Sequence, residues 1–216
     1  MSWSWLSNRT PGYQIIADRL GLHFSELDDQ KVLYQRHLQF KVFKIGSWRK
    51  IKYILQGVTG RNELFYSFEY FYTVSTGKTT VTYIQNIYSV FLNANIPTFY
   101  IRPQNAFHRI GKWFGMQDIE FDTYDDFNKN YMVKAESEVN FRKFFNTEIL
   151  GYLSFEKGWS IQSDGAQVIF FKEHKRMNEE MVEPFLQVAN TLFSLLMNYN
   201  SIGTGISSLD KPKPNK

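Results

Sequence analysis

Glu63-Leu64-Phe65-Tyr66-Ser67-Phe68-Glu69-Tyr70-Phe71-Tyr72-Thr73-Val74 is the stretch on which the fold turns. Strand side chains alternate between the two faces of a sheet. Leu64, Tyr66, Phe68, Tyr70 and Tyr72 therefore share one face, and Phe65, Ser67, Glu69 and Phe71 the other. Aromatic rings dominate both, which predicts a central strand covered on each side. The flanking sequence follows the same grammar. Upstream, Ile51, Tyr53 and Leu55 alternate with Lys50, Lys52 and Ile54 until Gly57, and Gly60-Arg61-Asn62 supplies a turn. Downstream, Ser75-Thr76-Gly77-Lys78 reverses the chain, and residues 79–92 continue with β-branched and aromatic side chains. Three consecutive strands make a meander.

Working outward, Ile15, Ile16 and Leu20 stand at helical spacing, with Thr10 as N-cap, Pro11 at the first helical position and Gly21 just past the end. Residues 25–43 fit a helix first and alternation later, so a helix is expected in their first half. Short strands are expected at 98–102 and 131–135, a short helix around Phe107, Ile110, Trp113 and Phe114, a helical turn at 124–129 and a helical region at 137–155. Asp164-Gly165 between two extended runs, 159–163 and 166–172, is the clearest hairpin. From Asn178 onward, Met181, Val182, Phe185, Leu186, Ala189, Leu192, Phe193 and Leu196 recur at three- and four-residue intervals. Pro184 in the first turns places the regular helix from there. The expected class is α+β: an antiparallel β-meander sheet of about five to eight strands packed against helices, with a long C-terminal amphipathic helix across it. The expected organisation is an N-terminal segment with a short helix (1–24), one α+β domain (25–200) and a disordered tail (201–216) without core residues.

At 216 residues, with 43% apolar and 18% aromatic side chains, the chain can bury a substantial core. The absence of cysteine removes disulfides, thiolate nucleophiles, Fe–S clusters and Cys-based zinc sites together. Residues 1–19 lack the apolar run of a signal peptide, and no apolar stretch approaches the roughly 20 residues of a membrane span. The expected location is the cytoplasm, free or peripheral at a membrane.

Charge is segregated along the chain. Residues 30–117 carry twelve Lys and Arg against Glu63 and Glu69 alone, while 118–183 carry fourteen acids against eight bases. Lys44, Arg49, Lys50 and Lys52 form the candidate basic interaction surface, and Asp118, Glu120 and Asp122 the candidate acidic cluster. Such segregation suits a basic face for phosphates or anionic lipid, or two complementary patches, as well as plain solvation.

Motifs that suggest chemistry fail on their context. Gly77-Lys78-Thr79 ends like a phosphate-binding loop, but Tyr72 stands where its first glycine belongs and a strand follows. Asp118, Glu120 and Asp122 share a face when extended, yet a calcium loop would need glycine at Thr123 and glutamate at Lys129. His23, His37, His108 and His174 lack metal-ligand spacing, and no Gly-x-Ser-x-Gly elbow occurs. Trp48-Arg49-Lys50-Ile51-Lys52-Tyr53 interleaves bases with rings as single-strand binders do, without any further nucleic-acid signature. Trp3 and Trp5, near Leu6, would suit a headgroup boundary or a docked terminus. No catalytic residue, cofactor or metal is predicted, and nucleic acid is not an expected partner.

Phe43-x-x-Gly46, Gly57, Phe68-Glu69-Tyr70-x-Tyr72, Gly77-Lys78, Gln85, Pro97-x-Phe99-x-x-Arg102-Pro103, Gly115-x-x-Asp118-Ile119-x-Phe121, Phe127-x-x-x-Tyr131 and Asp164-Gly165 occur in that order. In this the segment resembles an uncharacterised bacterial domain of unknown function, often the soluble part of small membrane-anchored proteins. The resemblance implies no catalytic residue. The expected function is a non-enzymatic binding or scaffolding module whose basic segment meets an unknown protein partner or an anionic membrane surface. The competing expectation is an enzyme of unrecognised class with a site near Asp118.

Overall fold

The quoted stretch is strand β3 (Leu64–Ser75), and it lies inside a sheet. A computed structural model describes residues 9–104, 116–173 and 177–198. The other strands are β1 (His23–Leu27), β2 (Ser47–Val58), β4 (Thr80–Phe91), β5 (Phe99–Pro103), β6 (Gln117–Ile119), β7 (Tyr131–Ala135), β8 (Trp159–Ser163) and β9 (Gln167–Lys172). All pair antiparallel, in the order β1-β2-β3-β4-β9-β8-β5-β7-β6. The first four form the meander. The chain then crosses beyond β9 and β8 to lay down β5, so the sheet grows from both sides of the β8–β9 hairpin.

Helices α1 (Thr10–Leu20), α2 (Val32–Gln35), α3 (Asp125–Asn130), α4 (Glu138–Phe144), α5 (Thr147–Phe155) and α6 (Val182–Met197) complete the described residues, with 3-10 turns at Lys41–Lys44 and Glu179–Met181. They cover the sheet unequally, and the parity of β3 shows how. Phe65 and Phe71 face a large core filled from α1, α4, α5 and α6. There Phe185 of α6 stacks on Trp159 at 5.2 Å between ring centroids, and Phe193 meets Phe170 edge-on at 6.5 Å. Phe68, Tyr70 and Tyr72 face a second core closed by Leu33, Phe40, Val42 and Phe43. Residues 28–46 thus form a strap across the second face.

Several expectations need correction. The helix expected in the first half of 25–43 is absent: β1 runs to Leu27, Asp28 caps α2 by accepting from the Leu33 and Tyr34 amides (3.2 and 2.8 Å), and α2 lasts four residues. The apolar residues there serve as a strap over one sheet face, so neither regular period applies. Ile51, Tyr53 and Leu55 do not share a face. Lys52 faces Glu69 and Leu55 faces Ser67, so Tyr53 and Ile54 together oppose Phe68 in a bulge, with Tyr53 at φ +53°. Ile51 and Ile54 consequently enter the strap core while Tyr53 and Leu55 enter the other. Among the described residues, nine strands exceed the expected number because the short edges β1 and β6 escaped the pattern. Thr10 begins α1 instead of capping it, although Gly21 ends the helix at φ +65° as its position suggests. Residues 137–155 form two helices, broken where Asn146 accepts from the Ile149 amide at 3.0 Å. Finally α6 begins at Val182 instead of Pro184, which is tolerated in a first turn whose amides need no helical acceptor. The expected helix around Phe107, the residues Trp3, Trp5, His108 and His174, and the expected disordered tail lie outside the described residues.

Candidate functional site

The strap turns most of its apolar side chains inward and most of its bases outward. Leu33, Phe40, Val42 and Phe43 are buried, while Lys31, Arg36 and Lys44 are exposed, as is Lys50 at the start of β2. Partial burial, and then the neighbouring Lys44, lower the Lys41 pKa, as expected where cations gather without an intervening acid.

The four sequence-derived basic candidates separate here. Lys44 and Lys50 stay at the solvent-facing corner where the strap enters β2. Arg49 holds that corner together: its guanidinium donates to the carbonyls of Lys44 (2.7 Å), Ile45 (3.2 Å) and Gly46 (2.6 Å) and to the Tyr34 hydroxyl (3.1 Å). Gly46 is required between them, since it sits at φ +67° and a Cβ would run into the Thr73 carbonyl oxygen. Lys52 shares the sheet face of Lys50 but is half-buried, its ammonium 4.7 Å from the Tyr53 ring centroid. Beside the corner, Asp28, Lys31, Tyr34, Arg49 and Lys50 line a concavity of about 210 Å³. An adjoining hollow of about 270 Å³ is bordered by Arg36, Gln56 and Tyr66. Bases and acids thus share both rims: on their common wall the Asp28 carboxylate is engaged by backbone amides, while Asp29 is exposed.

Under the strap lies a polar network with the outward form of a nucleophile and its base. His37 is fully buried, with Nδ1 2.7 Å from the Leu33 carbonyl oxygen. A carbonyl can only accept, so Nδ1 carries the proton and Nε2 accepts from the Ser89 hydroxyl (2.8 Å) and the Gln167 amide (2.8 Å). Gln167 also donates to Ser89 (2.7 Å), and its own oxygen accepts from Gln39 (2.7 Å). Burial pulls the His37 pKa down to about 4. Ser89 is likewise fully buried, the rings of Phe40, Phe43, Phe68 and Phe91 surround the imidazole, and a backbone carbonyl stands where a triad would place an acid. This arrangement pins strap to sheet. A second network on the opposite face joins Arg9, Tyr13 and Glu69.

Asp118 of the acidic cluster lies on the edge strand β6, 71% exposed, and pairs with Lys134 across the ladder at 2.6 Å. Glu120 and Asp122 are exposed, and the Glu120 carbonyl accepts from Arg142 at 2.7 Å. No group of three or more His, Asp or Glu able to hold a metal occurs among the described residues. Nor, among them, is any helix long and apolar enough to cross a membrane.

No protein-family model and no curated protein matches the chain. Its fold does have a solved neighbour. The chain is similar to the mycobacterial trehalose monomycolate transport factor A, TtfA. The match to the TtfA crystal structure has a TM-score of 0.63 at 10% identity and covers 89% of this chain and 96% of TtfA. With nearly all of both chains covered, what this chain shares with TtfA is the overall fold. At that identity the likeness concerns the fold. The surface described above is this chain's own, and much of it eluded sequence reasoning. Lys31 and Arg36 were legible only as part of a charge count, and the His37–Ser89–Gln167 network joins residues up to 130 positions apart.

Proposed function

We propose that this chain is a non-enzymatic binding or scaffolding module, working in the cytoplasm, free or peripheral at a membrane, that meets an acidic partner with the outer side of its strap. One observation carries the reading. Seven bases and no acid stand between Lys31 and Lys52, and Lys31, Arg36, Lys44 and Lys50 are exposed on the strap and the corner it leads into. A like-signed set on one exposed element raises the local concentration of an acidic partner and speeds its encounter. The buried networks around His37 and Arg9 have their partners within the fold and serve its cohesion. An accessory role also accords with the description of the structural neighbour TtfA as a transport factor.

Two charge-reversed forms with the same net charge test the reading. Lys44→Glu with Lys50→Glu alters the strap corner, whereas Lys143→Glu with Lys157→Glu alters exposed positions of the acidic half. On immobilised polyglutamate the first pair is expected to weaken retention about ten-fold or more and to flatten its dependence on salt. The second should elute close to the native chain. Equal effects from both pairs would mean that net charge alone drives retention, and the reading would fail.

A further inference from the structure

β2 contains two residues at positive φ, Tyr53 at +53° and Trp48 at +51°. Both occupy bulges: Ser47 faces Thr73 and Lys50 faces Phe71, so Trp48 and Arg49 together oppose Tyr72. Bulky L-residues adopt this conformation rarely and at a cost. At Tyr53 the cost is offset inside the fold, because the ring is buried and stacks on Tyr13 at 5.1 Å. At Trp48 it is not, since the indole is 79% exposed. The backbone is therefore held in an unfavourable state to present a large apolar ring to solvent, on a corner made rigid by the Arg49 guanidinium.

The surroundings of the ring are cationic. Lys44 and Lys50 flank it in sequence, and both are exposed. The β3–β4 hairpin leaves the sheet at the same end, since Ser47 faces Thr73 and Ser75 faces Thr80, and it carries exposed Lys78 at its tip. We infer that Trp48, with Lys44, Lys50 and Lys78 around it, is an interfacial anchor for an anionic lipid bilayer surface. This rests on the proposed binding of acidic partners and names the partner.

An indole combines an apolar body with one N–H donor and favours the headgroup boundary. Lysine stems reach past it to lipid phosphates, each ammonium near an anionic surface adding about five-fold to partitioning. A fluid surface accepts one protruding ring and flexible cations without a fixed complementary shape. Single-stranded nucleic acid would call for successive stacking platforms, but Tyr53, the next ring of the same motif, is buried in the larger core.

Sedimentation with vesicles tests this, using phosphatidylcholine alone and an equal mixture with phosphatidylglycerol. The native chain is expected to pellet with the mixed vesicles only, with a blue shift in tryptophan emission. Trp48→Gly should lower the partition coefficient about ten-fold while raising the melting temperature, because glycine accepts the positive φ. A merely structural tryptophan would not separate those readouts. Unchanged partitioning of Trp48→Gly would overturn the anchor. Retention on polyglutamate without binding to mixed vesicles would overturn the lipid assignment and leave the proposed function standing. Tighter, Trp48-dependent binding to oligothymidylate would replace lipid by nucleic acid. Binding to none of these probes would overturn both readings.

Discussion

Replacing Arg9 by methionine is expected to lower the free energy of unfolding by about 3–5 kcal/mol, the usual result of removing one partner of a buried ion pair. Arg9 is 3% exposed and Glu69 fully buried, and the two side chains are in direct contact. The guanidinium also donates to the Met177 carbonyl at 2.8 Å, lies 3.6 Å from the Glu179 carboxylate and sits over the Tyr13 ring at 5.2 Å. The Tyr13 hydroxyl donates to Glu69 at 2.9 Å. Burial, reinforced by Glu69, raises the Tyr13 pKa, so the phenol stays a neutral donor across the accessible range. One cluster thus ties the start of α1 and the approach to α6 to β3. Methionine fills much of the arginine volume but leaves Glu69 without its cation. Adding Glu69→Gln should restore a large part of the loss, because the carboxylate is then neutral. Urea unfolding of the four forms in a double-mutant cycle reads the coupling. A single-variant loss below about 1 kcal/mol would mean that the pair is solvated.

Acidification is expected to act through His37. The unfolded imidazole takes a proton as pH falls through 6.5, whereas in the fold burial holds the pKa at about 4. Between those values the unfolded state binds more protons, so stability is full above 6.5 and falls as pH drops towards about 4. The loss amounts to about 3 kcal/mol. Nδ1 already bears its proton towards Leu33, and the second must displace what Ser89 and Gln167 donate to Nε2. Melting curves over this window should slope less steeply for His37→Gln than for the native chain, although the variant starts from a lower midpoint. Parallel slopes would show that His37 titrates with solvent access.

The sequence made the interior periodicities legible and concealed what long-range geometry decides. β3 declares its two faces, the Asp164-Gly165 turn declares the β8–β9 hairpin, and β7 occupies the residues expected of it. In β2, each bulge inserts one residue opposite a single partner, so alternation read across Trp48–Tyr53 assigns faces wrongly after the insertion. Between the two bulges the alternation holds, since Lys50, Ile51 and Lys52 face Phe71, Tyr70 and Glu69 in turn and the two lysines share a face. Arg49 looked like a surface cation. Its partners are carbonyls three to five residues back, visible only once Gly46 bends the chain. Glu69 read as an acid on a central strand, and nothing local announced that Arg9, sixty residues away, would meet it.

Hydrogen exchange on the native chain, with and without vesicles of phosphatidylcholine and phosphatidylglycerol in equal parts, tests the central claim most directly, because it reports where the partner sits. Slowed exchange is predicted at Lys41–Lys44, through residues 45–50 and in the 76–79 turn, with residues 120–129 unchanged. Protection centred on Asp118 and its edge strand, with the strap corner unaffected, would contradict the account.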